Sequence, residues 1–201
     1  PISFILQLVN SLGHNKKKVE KIKTICVGNI YIGGTGKTPI SISINKILNK
    51  LNFKTAFIKK YYSDQTDEQK ILSLNGKLFC QSSREDSLNR AINDKIDVAI
   101  FDDGLQDKKI SYDIAFVCFN IDCWIGNGLT LPSGPLRESL LAIKKYDAIF
   151  LNGNNEKTLE LKNIINRIAP KIKIFEAAYR IINIDKFDLN KNYMVFSGIG
   201  N

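Results

Sequence analysis

The chain has 201 residues, 44% of them hydrophobic and 24% charged, with a formal net charge of +9. This is enough apolar material for one packed domain of ordinary size. The positive balance suits an anionic membrane face or a phosphate-bearing ligand, although genome base bias also yields a chain this rich in Lys, Asn and Ile. No basic run with interleaved aromatics marks a nucleic-acid surface, so no nucleic-acid partner is expected. The cysteines Cys26, Cys80, Cys118 and Cys123 lack metal-type spacing, and a reduced, cytoplasmic compartment fits them best.

At the N-terminus, Ile2, Phe4, Ile5, Leu6, Leu8, Val9 and Leu12 predict a short amphipathic helix. It is too short to span a bilayer and lacks the charged start and cleavage site of a signal peptide. Lys16, Lys17, Lys18, Lys21 and Lys23 follow. Two readings stay open: an interfacial anchor on an anionic leaflet, or a helix packed on the core beside a solvated linker. His14 lies outside every motif and reads as a surface residue.

Residues 24–39 read as an apolar strand, a glycine-rich turn and a helix start, the order of a nucleotide phosphate cradle. Backbone N–H groups of Gly33, Gly34 and Gly36 meet an anion with no Cβ in the way. Lys37 reaches the outer phosphates, and the Thr38 hydroxyl is placed to ligate Mg²⁺. The strict pattern asks for glycine where Tyr31 stands. Pro39 suits an early helical position. Ile40, Ile44, Ile47, Leu48 and Leu51 then predict one buried face of a helix over 39–51.

A strand near 54–58 leads to Ser63–Glu68, which opens a helix near 67–74; an Asp at a helix start is commonly a cap. A further helix is predicted near 84–93. Ile96–Phe101 is an almost continuous apolar run, as expected of a strand buried on both faces. It ends in Asp102-Asp103-Gly104, and carboxylates at such a tip beside a phosphate loop predict a Mg²⁺ site. After a strand near 114–119, Gly126–Glu138 is a Gly/Pro loop of the kind that binds ligands, leading into a helix over 137–144. Arg137 reads either as a ligand contact or as a salt-bridge partner. Strands near 147–151, 172–176 and 193–197 and a helix near 156–168 complete the alternation. Such alternation predicts a mostly parallel sheet covered on both faces, with ligands at the carboxyl ends of its strands.

Several motifs in fixed order carry a resemblance: Val27-Gly28-Asn29, Gly33-Gly34-Thr35-Gly36-Lys37-Thr38-Pro39, Asp102-Asp103-Gly104-Leu105-Gln106, Gly126-Asn127-Gly128, Leu131–Glu138 and Gly198-Ile199-Gly200-Asn201. Together they resemble the tetraacyldisaccharide 4'-kinase family, the lipid A kinases of Gram-negative bacteria. The resemblance implies an α/β, P-loop NTPase-like three-layer sandwich over 23–201, preceded by a membrane-contact helix and basic linker over 1–22. It implies an enzyme at the cytoplasmic face of the inner membrane. The enzyme moves the γ-phosphate of ATP to the 4'-hydroxyl of a tetraacylated glucosamine disaccharide 1-phosphate.

Residue by residue, it implies that Gly33, Gly34, Thr35, Gly36, Lys37 and Thr38 hold ATP, and that Thr38, Glu68, Asp102 and Asp103 hold Mg²⁺. Asp67 is the implied base, acting with Lys37, and Gln106, Asn127 and Arg137 are expected to face the substrate. There are departures. The family's usual Ser-Arg-Gly-Tyr-Gly is replaced by Lys59-Lys60-Tyr61-Tyr62-Ser63, the usual His after Gln106 is Asp107, and Thr66 replaces a Gly. The family also continues for roughly another hundred residues. This chain alone is therefore expected to transfer little phosphate, and a decayed, non-catalytic nucleotide-binding remnant is the rival reading. No guanine-recognition Asn/Thr-Lys-x-Asp motif supports a GTPase.

Overall fold

The structure is a computed structural model and describes residues 17–18, 21–153, 156–179, 184–188 and 190–194. Nine strands are described: β1 (Lys17–Lys18), β2 (Lys23–Gly28), β3 (Thr55–Lys60), β4 (Leu78–Gln81), β5 (Val98–Asp102), β6 (Ile110–Ser111), β7 (Ile114–Asn120), β8 (Ala148–Asn152) and β9 (Lys173–Ala177). The helices are α1 (Lys37–Lys50), α2 (Thr66–Asn75), α3 (Arg84–Asn93) and α4 (Thr158–Ile168). The predicted helix over 137–144 is instead a 3₁₀ segment at Leu140–Lys145, capped by the Ser139 hydroxyl. Residues 193–194 carry no strand, and the rest of the strand expected there lies outside the described residues. So do the N-terminal helix, His14 and the Gly198–Asn201 motif.

The main sheet runs β4-β3-β5-β2-β7-β8-β9, and every pairing within it is parallel. A second parallel pair joins β1 to β6. The sequence dictates the arrangement. β2, β3 and β5 are buried along almost their whole length, so their apolar runs are continuous rather than alternating. The edge strands β4 and β9 are only half-buried or exposed.

Two helical layers cover the sheet. On one face, Ile40, Ile44 and Leu48 of α1 and Leu72 of α2 pack on Val27, Phe57, Ile100 and Cys118. On the other, Leu88 and Ala91 of α3 and Leu161 and Ile165 of α4 pack on Cys26, Ile58, Phe101, Phe119 and Ile149. The three-layer expectation is met, with Cys26 and Cys118 as core residues.

One helix face differs from its prediction. Ile47 and Leu51 are 59% and 62% exposed, whereas Ser41 and Asn45 are buried. The inner face of α1 runs through 40, 41, 44, 45 and 48 because two polar residues have partners there. Ser41 reaches Asp102, and Asn45 donates to the Asn75 carbonyl at the end of α2 and accepts from the Thr55 hydroxyl.

The chain leaves β2 toward β3 and β4 on one side and reaches β7, β8 and β9 on the other. The reversal opens a crevice at the carboxyl ends of the central strands, which is where parallel sheets hold ligands.

Candidate functional site

The glycine loop spans this crevice from the tip of β2 to the start of α1. Gly33 and Gly36 adopt positive φ, +118° and +78°. At Gly36 a side chain would be strained and would also meet Asn152, whose Nδ2 lies 2.5 Å from the position of a Cβ. The front of the loop is fixed by the Gly/Pro loop. Ile32 N–H donates to the Pro135 carbonyl at 2.9 Å, and Arg137 N–H donates to the Ile30 carbonyl at 2.7 Å. Tyr31, at the position where the strict pattern wants glycine, forms an antiparallel bridge with Leu136. The back of the loop is held by Asn152 at the tip of β8, whose amide donates to the Thr35 carbonyl. Gly33 and Gly34 are exposed, and Lys37 is half-buried. Thr35 Oγ1 and Asn29 Oδ1 are buried without a hydrogen-bond partner among the described residues. Orphaned polar atoms lining a glycine cradle fit a loop built to receive an anionic ligand.

Asp102 closes β5 directly beside the loop strand, paired in register with Val27. Its carboxylate is fully buried. Two residues of α1 on adjacent turns reach it: Ser41 Oγ donates to Oδ1 at 3.1 Å, and Thr38 Oγ1 donates to Oδ2 at 3.2 Å. A hydroxyl at the loop's end touching a buried carboxylate is the donor set that suits Mg²⁺ beside a nucleotide.

A third partner was not foreseen. Lys59, near the end of β3 and 2% exposed, donates from Nζ to Asp102 Oδ2 at 2.9 Å and to Glu68 Oε2 at 2.6 Å. Burial alone would pull the Lys59 ammonium toward its neutral form. Asp102 and Glu68 outweigh that and raise its pKa above the ordinary lysine value.

Asp103 follows in a left-handed backbone conformation, φ +60°. Its carboxylate accepts from Arg137 Nη1 at 2.9 Å, and its carbonyl accepts from Arg84 Nη2. Burial would raise the Asp103 pKa, but Lys37, Arg137 and Lys59 together hold it below the usual carboxylate value. Arg137 also donates to Gln106 Oε1 at 3.3 Å. The Gln106 amide in turn donates to the Asn29 carbonyl and to Glu138, which accepts from Tyr146 as well. One continuous network therefore ties the Asp-Asp-Gly segment to the glycine loop and the Gly/Pro loop. Asn127 is used within its own loop, donating to the Ser133 carbonyl and accepting from Leu129 N–H.

Asp67 and Glu68 occupy the first turn of α2. Asp67 is exposed, while Glu68 turns inward to Lys59. Beyond the tips of β3 and β4 lies a cavity of about 340 Å³ rimmed by Lys60, Arg84, Lys108 and Lys109 and by the carboxylates of Glu85 and Asp107.

The site residues missed from sequence were Lys59, Ser41 and Asn152. A signal existed for two of them. Lys59 follows the apolar Ala56-Phe57-Ile58, and Asn152 follows Ala148–Leu151. Polar residues at the carboxyl tips of buried parallel strands face the ligand crevice.

A parallel sheet, a glycine loop running into a helix that opens with Lys37-Thr38, and a buried aspartate on the adjoining strand define a P-loop nucleotide-binding domain. The solved structures agree on this fold. LpxK from Aquifex aeolicus, in complex with ATP, superposes with a TM-score of 0.63 at 16% identity, over 99% of this chain and 84% of that one. The signal recognition particle receptor FtsY from Elizabethkingia anophelis superposes with a TM-score of 0.56 at 14% identity, over 90% of this chain and 65% of that one.

The family model described as Tetraacyldisaccharide-1-P 4'-kinase, LpxK, matches residues 2–77 and 67–201, and the chain belongs to that family. Among its relatives, the tetraacyldisaccharide 4'-kinase of Pelagibacter ubique is 56% identical over the whole chain. That of Rickettsia bellii is 31% identical, again over the whole chain. The chain spans 64% of the first relative's length and 67% of the second's.

Proposed function

We propose that this chain carries the ATP-binding and phosphoryl-transfer machinery of a tetraacyldisaccharide 4'-kinase. The single observation that carries the reading is the Thr38–Asp102 contact at the end of the glycine loop, in a chain of this family. Gly33, Gly34, Thr35 and Gly36 cradle the phosphates of ATP, and Lys37 offsets their charge. Thr38 and Asp102 would hold Mg²⁺, which would supply neutralisation of the phosphate charge. Asp67, exposed at the start of α2, takes the proton of the sugar 4'-hydroxyl as its oxygen bonds to the γ-phosphorus. The bond from that phosphorus to the bridging oxygen of ADP breaks, and ADP leaves. Arg137 and Gln106 hold the Gly/Pro loop against the site. The basic rim beyond β3 and β4 suits a phosphorylated sugar, although two of its cations, Arg84 and Lys109, already pair with Asp107 and Glu85.

No helix among the described residues is long and apolar enough to cross a membrane. The proposal places residues 2–12 on the anionic cytoplasmic face of the inner membrane, ahead of the β1–β6 pair and the buried Ile22. Its support is the apolar run Ile2–Leu12 followed by lysines, each contributing about 1 kcal/mol near such a surface.

The test is transfer of radiolabelled phosphate from ATP to the disaccharide lipid in anionic vesicles. It is run with this chain and with the full-length Pelagibacter ubique relative. Lys37→Ala should weaken ATP binding by about 2 kcal/mol or more, since a charge-assisted contact to phosphate is lost. Asp67→Ala should leave ATP binding intact and remove most transfer. Unchanged ATP affinity in the Lys37 variant, measured by calorimetry, would sink the reading. Co-sedimentation with the vesicles should fall with added salt and on removing residues 1–18. Equal binding to neutral and anionic vesicles would contradict the membrane proposal.

A further inference from the structure

Lys59 stands among the residues that the proposed function assigns to the metal. It is a buried lysine that follows the apolar Ala56-Phe57-Ile58 of β3, and its ammonium contacts two carboxylates that come from two other elements. A lone buried ammonium is strongly disfavoured, so the two carboxylates are what allow it to lie there. The converse holds as well. Asp102 is fully buried, and Lys59 is the cation that contacts it.

Both oxygens of Asp102 are already shared out. Asp102 Oδ1 accepts from Ser41, while Oδ2 accepts from both Thr38 and Lys59. A divalent ion ligated by Thr38 Oγ1 and Asp102 Oδ2 would share that oxygen with a fixed ammonium. Glu68 reaches the same ammonium through Oε2, with its side chain still 45% exposed. Asp103, the remaining acidic candidate, is taken up by Arg137. Among the described residues, no cluster of three or more His, Cys, Asp or Glu side chains forms a metal cage.

We propose that Lys59 is a tethered cation that holds Glu68 and Asp102 together in place of a divalent ion, so that the nucleotide-free site is closed to metal. This rests on the nucleotide-site reading above and refines it. The divalent ion then enters with the nucleotide, which brings its own phosphate oxygens as ligands. Lys59 keeps the two carboxylates in position in the meantime. The lysine also joins β3 to α2 and β5, so the catalytic turn carrying Asp67 is fixed to the phosphate side of the crevice before any ligand binds.

The probe is Mn²⁺, followed by the electron paramagnetic resonance signal of the free ion. Without nucleotide, the wild-type chain should bind Mn²⁺ only weakly. Lys59→Met should gain roughly tenfold or more, the factor that about 1.4 kcal/mol of relieved cation–cation repulsion gives. Adding Glu68→Gln to Lys59→Met should remove most of the gain. Circular dichroism establishes that each variant is folded. If Lys59→Met does not fold, the wild-type measurement still decides: micromolar Mn²⁺ binding without nucleotide would overturn the proposal. So would a folded Lys59→Met that binds Mn²⁺ no better than wild type. Wild-type binding of Mn²⁺·ATP is the separate control. If it fails, the nucleotide-site reading falls. If it succeeds while Lys59→Met gains nothing, only the role given to Lys59 falls.

Discussion

Asn152 shows how much a single side chain does here. It sits at the tip of β8, 8% exposed, and its amide donates to the Thr35 carbonyl on the far side of the glycine loop. Asn152→Ala would leave a buried carbonyl without its donor, which costs about 1–3 kcal/mol. The expected outcome is a lower urea midpoint together with weaker ATP binding, because the loop is no longer held open for phosphate. An Asn152→Ala variant matching wild type in both measurements would show that the loop keeps its shape without this strut. Aspartate at the same position is expected to be worse than alanine for ATP, since it adds negative charge beside the cradle.

At the scale of elements, α1 separates hydropathy from burial. Of the five residues that periodicity selects, Ile40, Ile44 and Leu48 pack on the sheet, while Ile47 and Leu51 face solvent and the polar Ser41 and Asn45 are buried in their place. Ile47→Lys is therefore expected to change stability by no more than about 0.5 kcal/mol, as for an ordinary surface site. Asn45→Leu should cost about 1–3 kcal/mol, because the Asn75 carbonyl loses its side-chain donor and the Thr55 hydroxyl keeps only Asn49 of its two acceptors. Thermal unfolding of the two variants checks the order, and a larger loss from Ile47→Lys would refute this account of the helix.

The same helix marks where the sequence was legible and where it was not. Strand and helix positions followed from apolar runs and breaks, because burial of both sheet faces leaves a continuous hydrophobic trace. The glycine loop, Lys37, Thr38 and Asp102 followed from residue type and order. What escaped was pairing across long separations. Nothing local says that Lys59 meets Asp102, that Ser41 meets the same carboxylate, or that Asn152 meets Thr35. The short strands β1, β4 and β6 escaped too, being too brief or too little buried to leave a periodic signal.

For the whole molecule, the strand order carries a consequence for how the protein is made. β2 emerges first among the strands of the main sheet, yet its neighbours there are β5 and β7, and β3 also waits for β5. Until residue 102 has been synthesised, β3 and β4 can pair only with each other, and β2 has no partner in that sheet. β5 is then inserted between two strands that are already waiting, and it brings Asp102 with it. Such long-range pairing bears its loop-closure cost before any contact rewards it. A nascent chain halted at residue 97 is expected to be cleaved rapidly by protease, and one carried through residue 153 to resist; protection of the shorter chain would contradict this order. On the ribosome, the glycine loop is thus a tether without an anchor until the sheet closes. Capacity to take up nucleotide is expected to arrive with closure rather than before it, so that an unfinished chain carries the loop but not the site.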